Sequence, residues 1–265
     1  MQNTPIVDII VPCYNAEKYV EDTIKSIVAQ TFKKWRLVLV DDLSTDSSWT
    51  ILTRWAERDA RISVFKLSEK GYTAGARNHG LRMSAAKYVA FCDADDMWRP
   101  QKLEEQIKCL ECEPRIAFSF TNMKGIDGGG NSLGALKLEL GRTTYSRLLR
   151  GNIVPASSVI ARRELLDEFD SRIRIVEDFA MWLSILRRNP EMFAWGLEED
   201  LLLYRIHSSA KTSNKLRSFG DTFRVLRVCE QIPLPRALFL MSIIGWKALR
   251  KFIERGNYKT VFDER

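Results

Sequence analysis

The sequence predicts an α/β fold, with a mostly parallel sheet flanked by helices and a helical C-terminal appendage. Short apolar runs alternate with segments whose apolar residues recur at helical spacing, as in β-α-β units. Beyond about residue 215 the chain becomes basic and apolar, and Pro233 and Pro235 interrupt it. We therefore divide the chain into a main domain at residues 1–215 and a basic amphipathic helical region at residues 216–265.

The first 122 residues alternate strand and helix. Residues 8–11 form a continuous apolar-rich run and predict a buried strand that ends at Pro12. Apolar residues at positions 20, 24, 27 and 28 have the spacing of a helix. The other predicted strands are residues 37–40, 62–65 and 88–91, and the other predicted helices are residues 50–58, 73–85 and one that opens at Arg99-Pro100.

The second half of the main domain is less regular. Residues 116–121, 157–161 and 201–205 predict strands, and residues 179–188 predict a helix. Residues 125–134 contain three consecutive glycines and predict a loop.

Composition narrows the class of protein. The chain has 265 residues, 45% of them hydrophobic, which excludes disorder throughout and suits one large domain with an appendage. A net charge of +7 suits nucleotides, phospholipid surfaces or nucleic acid as partners, although a solvated basic surface has the same composition. The first residues lack the features of a secretory signal, so we expect a cytoplasmic protein.

The cysteines do not indicate a metal site or a disulfide framework. There are five, an odd number, and they are scattered. Cys109 and Cys112 form a C-x-x-C pair, but a zinc site would need a second pair of ligands and the chain has only two histidines. We interpret the pair as two thiols on a helix.

Polar clusters follow three of the predicted strands. They are Tyr14-Asn15 after the first strand, Asp41-Asp42 after the second, and residues 93–96 after the fourth. Parallel strands bring their carboxyl ends to one edge of the sheet, where α/β proteins bind ligands. The acidic triplet Asp93, Asp95 and Asp96 would repel itself without a cation, and oxygen-rich clusters suit Mg²⁺ or Mn²⁺. The sequence therefore predicts a divalent metal at this edge.

The chain resembles family 2 glycosyltransferases with the GT-A fold, because several motifs follow one another in the same order as in that family. The resemblance begins with the V-D-I-I-V-P-C-Y-N opening and continues to the V-D-D-L-S-T-D segment that ends at residue 46. It then includes G-A-R-N-H-G at residues 75–80, D-A-D-D-M-W at 93–98, E-D at 177–178 and Y-R-I-H at 204–207. Among relatives, the chain most resembles bacterial enzymes that build surface polysaccharides such as lipopolysaccharide, capsule or teichuronic acid.

The resemblance implies transfer of one sugar from a UDP-linked nucleotide-sugar donor to a glycan or lipid-linked glycan acceptor. The reaction would be a metal-assisted single displacement that inverts the anomeric configuration. Residues 1–122 would form the nucleotide-sugar half and residues 123–215 the acceptor half. The Q-x-x-R-W motif of processive relatives is absent, so we expect single-sugar addition.

The resemblance assigns the nucleobase to the loops after the first two strands. Pro12 and Tyr14 would wall the base, and the Tyr14 ring offers a face for stacking. Asn15 and Glu17 belong to the same loop and would also contact the donor. Asp42 matches the carboxylate that accepts the uracil N–H. Leu43, where relatives often have glycine, is a departure that puts the local turn in doubt, and Asp41 could instead cap that turn.

The resemblance assigns the diphosphate and sugar to a second group of residues. Arg77 would pair with a diphosphate oxygen, and Asp93 would contact the ribose or the sugar. Asp95 and His207 would bind the Mn²⁺ or Mg²⁺, and Asp96 could join either task. Arg205 could also pair with phosphate.

The same resemblance assigns the proton transfer to the E-D pair at residues 177–178. Asp178 would be the general base that takes the acceptor hydroxyl's proton. Glu177 would orient the acceptor or the base. Acidic residues are also common in the first turn of a helix, where their charge interacts favourably with the helix macrodipole. The alternative is therefore that the E-D pair only stabilises the helix.

Two other function classes are possible from the residues. One is a non-catalytic basic protein that binds membranes or nucleic acid, but the acidic clusters would repel nucleic acid, so we expect no nucleic-acid partner. The other is a sugar nucleotidyltransferase. Such enzymes usually have a glycine-rich loop after the first strand, where this chain has Pro12-Cys13-Tyr14-Asn15.

The C-terminal region has two possible roles. Its apolar run at residues 237–246 is about half the ~20 residues that a membrane span needs. It could lie in a bilayer interface, with Trp246 and the basic residues after it at headgroup level, or it could pack on the main domain. We predict peripheral attachment to the inner face of a bacterial membrane.

Overall fold

The computed structural model describes residues 4–136, 138–206 and 215–262. Ten strands in this part of the chain form one sheet. They are β1 Val7–Cys13, β2 Trp35–Asp41, β3 Ile62–Lys66, β4 Tyr88–Phe91, β5 Met97–Trp98, β6 Ile116–Ile126, β7 Ser132–Leu136, β8 Gly141–Thr143, β9 Ile160–Arg162 and β10 Phe193–Arg205.

Eight α-helices accompany the strands in the described ranges. They are α1 Val20–Val28, α2 Ser48–Arg58, α3 Tyr72–Arg82, α4 Lys102–Cys112, α5 Tyr145–Leu148, α6 Glu177–Arg188, α7 Lys215–Arg224 and α8 Leu234–Phe262. Short 3₁₀ turns lie at Ala156–Ser158 and Arg163–Leu165, and a π-helical turn at Val225–Cys229 follows α7.

The strand order is β3-β2-β1-β4-β9-β6-β10-β5, with β7 beside β6 and β8 beside β10. The first four strands in this order are parallel, whereas β9 is antiparallel to both β4 and β6. The carboxyl ends of β1, β2 and β4 therefore lie at one edge of the sheet. This arrangement confirms the predicted α/β fold and places the three polar clusters together.

Helices cover both faces of the sheet, because the strand side chains alternate between two apolar cores. Ile9 and Val11 of β1 face the core that includes residues of α1, α2 and α4. Ile10 faces the other core, which includes α6. Trp182 of α6 is at the centre of that second core, and its ring lies 5.0 Å from Phe118 and 6.0 Å from Phe91.

Several predicted elements differ from the observed ones in extent. β1 does not end at Pro12 but continues to Cys13, because the pairing with β4 stops at Ile10 and proline is tolerated beyond it. The predicted loop at residues 125–134 is shorter in the structure: residues 127–131 form the turn of a hairpin between β6 and β7, and the Asp127 carboxylate accepts backbone N–H groups from that turn. Residues 157–161 begin in a 3₁₀ turn before β9 starts.

One face of the C-terminal region packs on the main domain. Val225, Leu226, Ala237, Leu240 and Met241 are buried in the same core as α6. The prediction that the C-terminal region packs on the main domain is therefore correct for this face. These core contacts join residues on the two sides of the predicted boundary between residues 215 and 216. The boundary itself stays a prediction.

Buried carboxylates reinforce this packing. Asp221 of α7 accepts the backbone N–H groups of Arg174 and Ile175, in the segment that leads into α6, each at 3.1 Å. Glu230 accepts hydrogen bonds from the Tyr145 hydroxyl and from Arg187 of α6. The C-terminal region thus helps to hold the start and the end of α6.

The close approach of α3 to β1 gives a test of this packing. A Cβ atom added at Gly80 would lie 2.5 Å from Ile10 Cγ2, whereas one added at Gly75 in the same helix meets nothing within 4 Å. We expect Gly80→Ala to lower the free energy of unfolding by about 1–3 kcal/mol through overpacking.

Guanidinium denaturation of the full chain measures this change. The matched control Gly75→Ala should leave stability unchanged or raise it by about 0.5–1 kcal/mol, as expected for alanine in a helix. Equal effects of the two substitutions would contradict the close approach.

Candidate active site

The loops after β1 and β2 are fastened to each other by side-chain hydrogen bonds. The Asn15 N–H donates to Ser44 Oγ at 3.0 Å, and the Thr45 N–H donates to Asn15 Oδ1 at 2.8 Å. The Ser47 N–H donates to Glu17 Oε2 at 2.9 Å. Asn15 has a φ of 47°, a left-handed conformation that asparagine tolerates well. The structure thus gives Asn15 and Glu17 a loop-fastening role, and their contact with a donor stays a prediction.

Leu43 has a backbone conformation that is more usual for glycine. Its φ is 60°, in the left-handed region that favours glycine. The surrounding loop must hold this residue there, since the conformation is disfavoured for a branched side chain. Asp41, two residues earlier, is buried, and its Oδ2 accepts the Ser44 N–H at 3.2 Å. Asp41 therefore caps this turn, as the alternative prediction for it states.

Lys70 lies between the two residues predicted to hold the nucleobase. Its Nζ is 2.7 Å from the centroid of the Tyr14 ring and 3.2 Å from Asp42 Oδ2. Asp42 Oδ1 also accepts the Gly71 N–H at 2.7 Å. Tyr14 is exposed, Pro12 beside it is half-buried and Asp42 is buried. The predicted base-binding residues therefore form a slot with a ring face and a carboxylate, closed by a lysine that sequence reasoning missed.

Arg77 is buried between two carboxylates from distant parts of the chain. Only 3% of its side chain is exposed. Its Nη2 donates to Asp93 Oδ1 at 2.7 Å, and its Nη1 donates to Glu177 Oε1 at 3.2 Å. Burial alone would lower the pKa of Arg77, but Asp93, Glu177 and Asp178 raise it above its usual value, so the guanidinium stays charged.

The predicted diphosphate contact of Arg77 is not tested by this arrangement. Both terminal nitrogens already have carboxylate partners, so the side chain links the loop after β4 to the start of α6. Glu177 is buried, and its Oε1 accepts a hydrogen bond from Arg77. Its predicted role in orienting the acceptor or the base stays a prediction.

Asp178 is a half-buried carboxylate at the start of α6. Its Oδ1 accepts the Phe179 N–H at 2.7 Å and the Asn152 Nδ2–H at 3.3 Å. Burial raises the pKa of Asp178 to about 7, and the charges of Glu177 and Asp93 add to the rise while Arg77 opposes it. A carboxylate that titrates near neutral pH is suited to general-base chemistry.

The three acidic residues after β4 have different surroundings. Asp93 is 38% exposed and pairs with Arg77. Asp96 is buried, and its Oδ1 accepts the Arg205 N–H at 2.9 Å. Burial, together with the charges of Asp95 and Asp93, raises the pKa of Asp96 well above its usual value and favours the neutral form. Asp96 is thus buried within the loop, while Asp93 and Asp95 are half-buried. The predicted contact of Asp96 with the donor or the metal stays a prediction.

These surroundings decide how a divalent metal would fit. Within the described residues, no three acidic, histidine or cysteine side chains form a metal cage. Mg²⁺ is usually held by one or two carboxylates plus substrate phosphates, and Asp95 satisfies that requirement. The other predicted ligand, His207, lies outside the described residues.

Arg205 is buried and has hydrogen-bond partners within the chain. It is 1% exposed, and its guanidinium donates to the backbone carbonyls of Asp95, Asp127 and Gly128. It also pairs with Asp22 at 3.3 Å. These contacts hold the acidic loop against the β6–β7 hairpin, and the predicted phosphate contact of Arg205 stays a prediction.

Comparisons with known proteins agree on one family. The family model described as "Glycosyl transferase family 2" matches residues 8–169. The chain is 34% identical over 248 residues to the putative teichuronic acid biosynthesis glycosyltransferase TuaG of Bacillus subtilis (strain 168), covering 93% of this chain and 97% of TuaG. It is 31% identical over 239 residues to WfgD of Escherichia coli, a UDP-Glc:alpha-D-GlcNAc-diphosphoundecaprenol beta-1,3-glucosyltransferase, covering 90% and 92% of the two chains.

Two solved structures share the fold. TarS of S. aureus (residues 1–349) in complex with UDP-GlcNAc has a TM-score of 0.68 at 19% identity, over 90% of this chain and 71% of that one. The mannosyltransferase PcManGT of Pyrobaculum calidifontis, in complex with GDP-Man and Mn²⁺, has a TM-score of 0.68 at 19% identity, over 91% and 69%.

The buried position of Arg77 predicts a large effect of its removal. Arg77→Met would leave the carboxylates of Asp93, Glu177 and Asp178 without their cation. We expect a loss of about 3–5 kcal/mol in the free energy of unfolding at pH 8, measured by urea denaturation. The loss should shrink toward pH 5, because protonation removes the uncompensated charge.

Arg82→Met is the matched control in the same helix. Arg82 pairs with Glu168 at 2.6 Å, but both side chains are more than half exposed, at 56% and 58%. This substitution should change stability by no more than about 0.5 kcal/mol. A similar loss for both variants, or a loss independent of pH, would contradict the role given to Arg77.

Proposed function

Since the chain belongs to glycosyl transferase family 2, we propose that it transfers one sugar from a UDP-linked donor to a glycan or lipid-linked glycan. The mechanism is a single displacement with inversion, and Asp178 is the general base. The observation that carries this proposal is the half-buried carboxylate of Asp178, whose pKa is about 7. Its neighbour Glu177 is joined through Arg77 to Asp93 in the acidic loop after β4. The relative WfgD, which is named as a glucosyltransferase with UDP-Glc as donor and alpha-D-GlcNAc-diphosphoundecaprenol as acceptor, supports the choice of substrates.

The base acts on the acceptor. Asp178 takes the proton of the acceptor hydroxyl as that oxygen attacks the anomeric carbon, and the UDP leaves from the opposite face. Attack and departure on opposite faces invert the configuration. The charge of Arg77 keeps the pKa of Asp178 from rising further, so that a substantial fraction of the carboxylate is ionised at neutral pH.

The donor's uracil occupies the slot between Tyr14 and Asp42. The ring stacks on Tyr14 beside Pro12, and Asp42 accepts the uracil N–H. The base must displace Lys70 from the Tyr14 ring face, and the lysine can then donate to a uracil carbonyl next to that N–H. Asn15 and Glu17 contribute by holding the loop that carries Tyr14, and Asp93 contacts the ribose or the sugar.

A divalent cation completes the donor site. Asp95 would hold Mn²⁺ or Mg²⁺ together with the donor's phosphates, with His207 as a second ligand, and the metal would stabilise the charge of the departing diphosphate. The Mn²⁺ in the complex of PcManGT supports a metal in this fold.

Loss of the base gives the main test. UDP release from a panel of UDP-glucose, UDP-galactose and UDP-N-acetylglucosamine, with Mn²⁺ or Mg²⁺, measures slow transfer to water. In the wild-type chain the rate should rise as the pH increases through about 7, because Asp178 must be ionised. Asp178→Asn should lower this rate about 100-fold or more.

UDP affinity, measured by calorimetry, should be unchanged in that variant, because Asp178 contacts the acceptor. The control Asp167→Asn changes an exposed carboxylate on the surface and should retain full activity. Full activity of Asp178→Asn would overturn the assignment of the base.

We also propose that α8 attaches the protein to the inner face of a bacterial membrane. Leu238, Phe239, Trp246 and Leu249 of α8 are exposed by 50–69% and lie along one side of the helix. The buried Ala237, Leu240 and Met241 lie on the other side, against the core. Every helix in the described ranges is too short or too polar to span a bilayer. An apolar stripe on a basic helix suits the interface of an anionic bilayer.

Vesicle sedimentation tests this attachment. The double variant Phe239→Ser, Trp246→Ser should lose most binding to vesicles of phosphatidylglycerol and phosphatidylcholine, because it removes apolar area without touching the core. Deletion of the whole helix would be ambiguous, since Leu240 and Met241 are buried. The control Leu133→Ser removes an exposed leucine from the β6–β7 hairpin and should bind as wild type. Equal binding by the double variant would contradict the proposal.

A further inference from the structure

Asn152 is held in one orientation beside Asp178. It follows Gly151, whose φ of 135° turns the chain after α5. Its side-chain Oδ1 accepts the Val154 N–H at 3.1 Å, so its Nδ2 is directed away from that turn and donates to Asp178 Oδ1 at 3.3 Å. Val154 is 1% exposed, which anchors the loop in the core. The amide is therefore oriented by the backbone and not by the carboxylate.

The two oxygens of Asp178 have different surroundings. Oδ1 accepts two hydrogen bonds, from the Phe179 N–H at 2.7 Å and from Asn152. No side chain or backbone group in the described part of the chain donates to Oδ2. An oxygen that already accepts two donors is a poor site for a further proton, so protonation falls on the other oxygen.

We infer that Asn152 is a positioning residue for the base, which fixes Oδ1 of Asp178 and leaves Oδ2 to take the acceptor's proton. This inference rests on the proposed function, since it assumes that Asp178 is the base. The motif resemblance did not include Asn152, because the residue lies in an irregular segment with no periodic pattern.

Three charged groups face Asp178 and affect its pKa. They are Glu177 on the same helix, Arg77 on α3 and Asp93 in the loop after β4. Asn152 is uncharged and contributes through its hydrogen bond to the ionised form. Removal of that bond should raise the pKa of Asp178.

A pair of substitutions separates this role from a structural one. Asn152→Ala removes the donor and the turn contact, and should move the acid limb of the pH–rate profile upward by about one unit. Asn152→Asp keeps an oxygen for the Val154 N–H but sets a second carboxylate against Asp178, and should move the limb further, by about two units. The measurement is UDP release from the most active UDP-sugar of the panel, from pH 5 to pH 9.5.

Asn122→Asp is the matched control. Asn122 also donates from its amide to a carboxylate, that of Asp200, at 2.6 Å, and its Oδ1 accepts a backbone N–H. The same change of charge there should leave the acid limb in place. UDP affinity of both Asn152 variants should equal that of the wild type, because Asn152 faces the base.

The outcomes distinguish the inference from the proposed function. If Asp178→Asn releases UDP at the wild-type rate, the assignment of the base fails. If Asp178→Asn is inactive but both Asn152 variants keep the wild-type acid limb, only the inference fails. A uniform loss of rate at all pH values in both variants also overturns it, since a structural role predicts that result. An upward shift that is larger for aspartate than for alanine supports it.

Discussion

The site depends on one buried cation. The Arg77 guanidinium joins α3 to the loop after β4 through Asp93 and to α6 through Glu177, a residue 100 positions away in the chain. A guanidinium taken out of water needs charged partners, and acidic groups packed this closely need a cation. The buried guanidinium and the carboxylates around it therefore stabilise each other. The arrangement fixes the distance between the acidic loop and the E-D pair before any substrate is bound.

The fold was predictable because its signals are local and periodic. Buried parallel strands have continuous apolar runs, and the helices between them repeat their apolar residues every three or four positions. The rule that parallel strands end at one edge then placed Tyr14, Asp42 and Asp93 together without any knowledge of their contacts. The resemblance to a family added Asp178, which no pattern in its own segment distinguishes from an ordinary helix start.

The remainder of the site depends on partners that one sequence does not specify. Arg77 and Arg205 have the same side chain, but one meets buried carboxylates and the other meets backbone carbonyls. Lys70 and Asn152 lie in loops without periodicity, so only the three-dimensional structure brings them to Tyr14 and Asp178. The loop predicted at residues 125–134 is longer than the observed turn for a related reason: glycine marks a turn, but it does not show whether the turn joins two paired strands.

The fastening of the loops after β1 and β2 affects the thermodynamics of donor binding. Asn15 and Glu17 accept hydrogen bonds from the backbone N–H groups of Thr45 and Ser47, and the Asn15 N–H donates to Ser44 Oγ. The walls of the slot are therefore set within the chain itself. Ordering flexible loops at the moment of association would reduce affinity by the conformational entropy lost. Here that entropy is already lost during folding. The unfavourable entropy of binding is then confined to the donor and to Lys70, whose side chain must leave the ring of Tyr14.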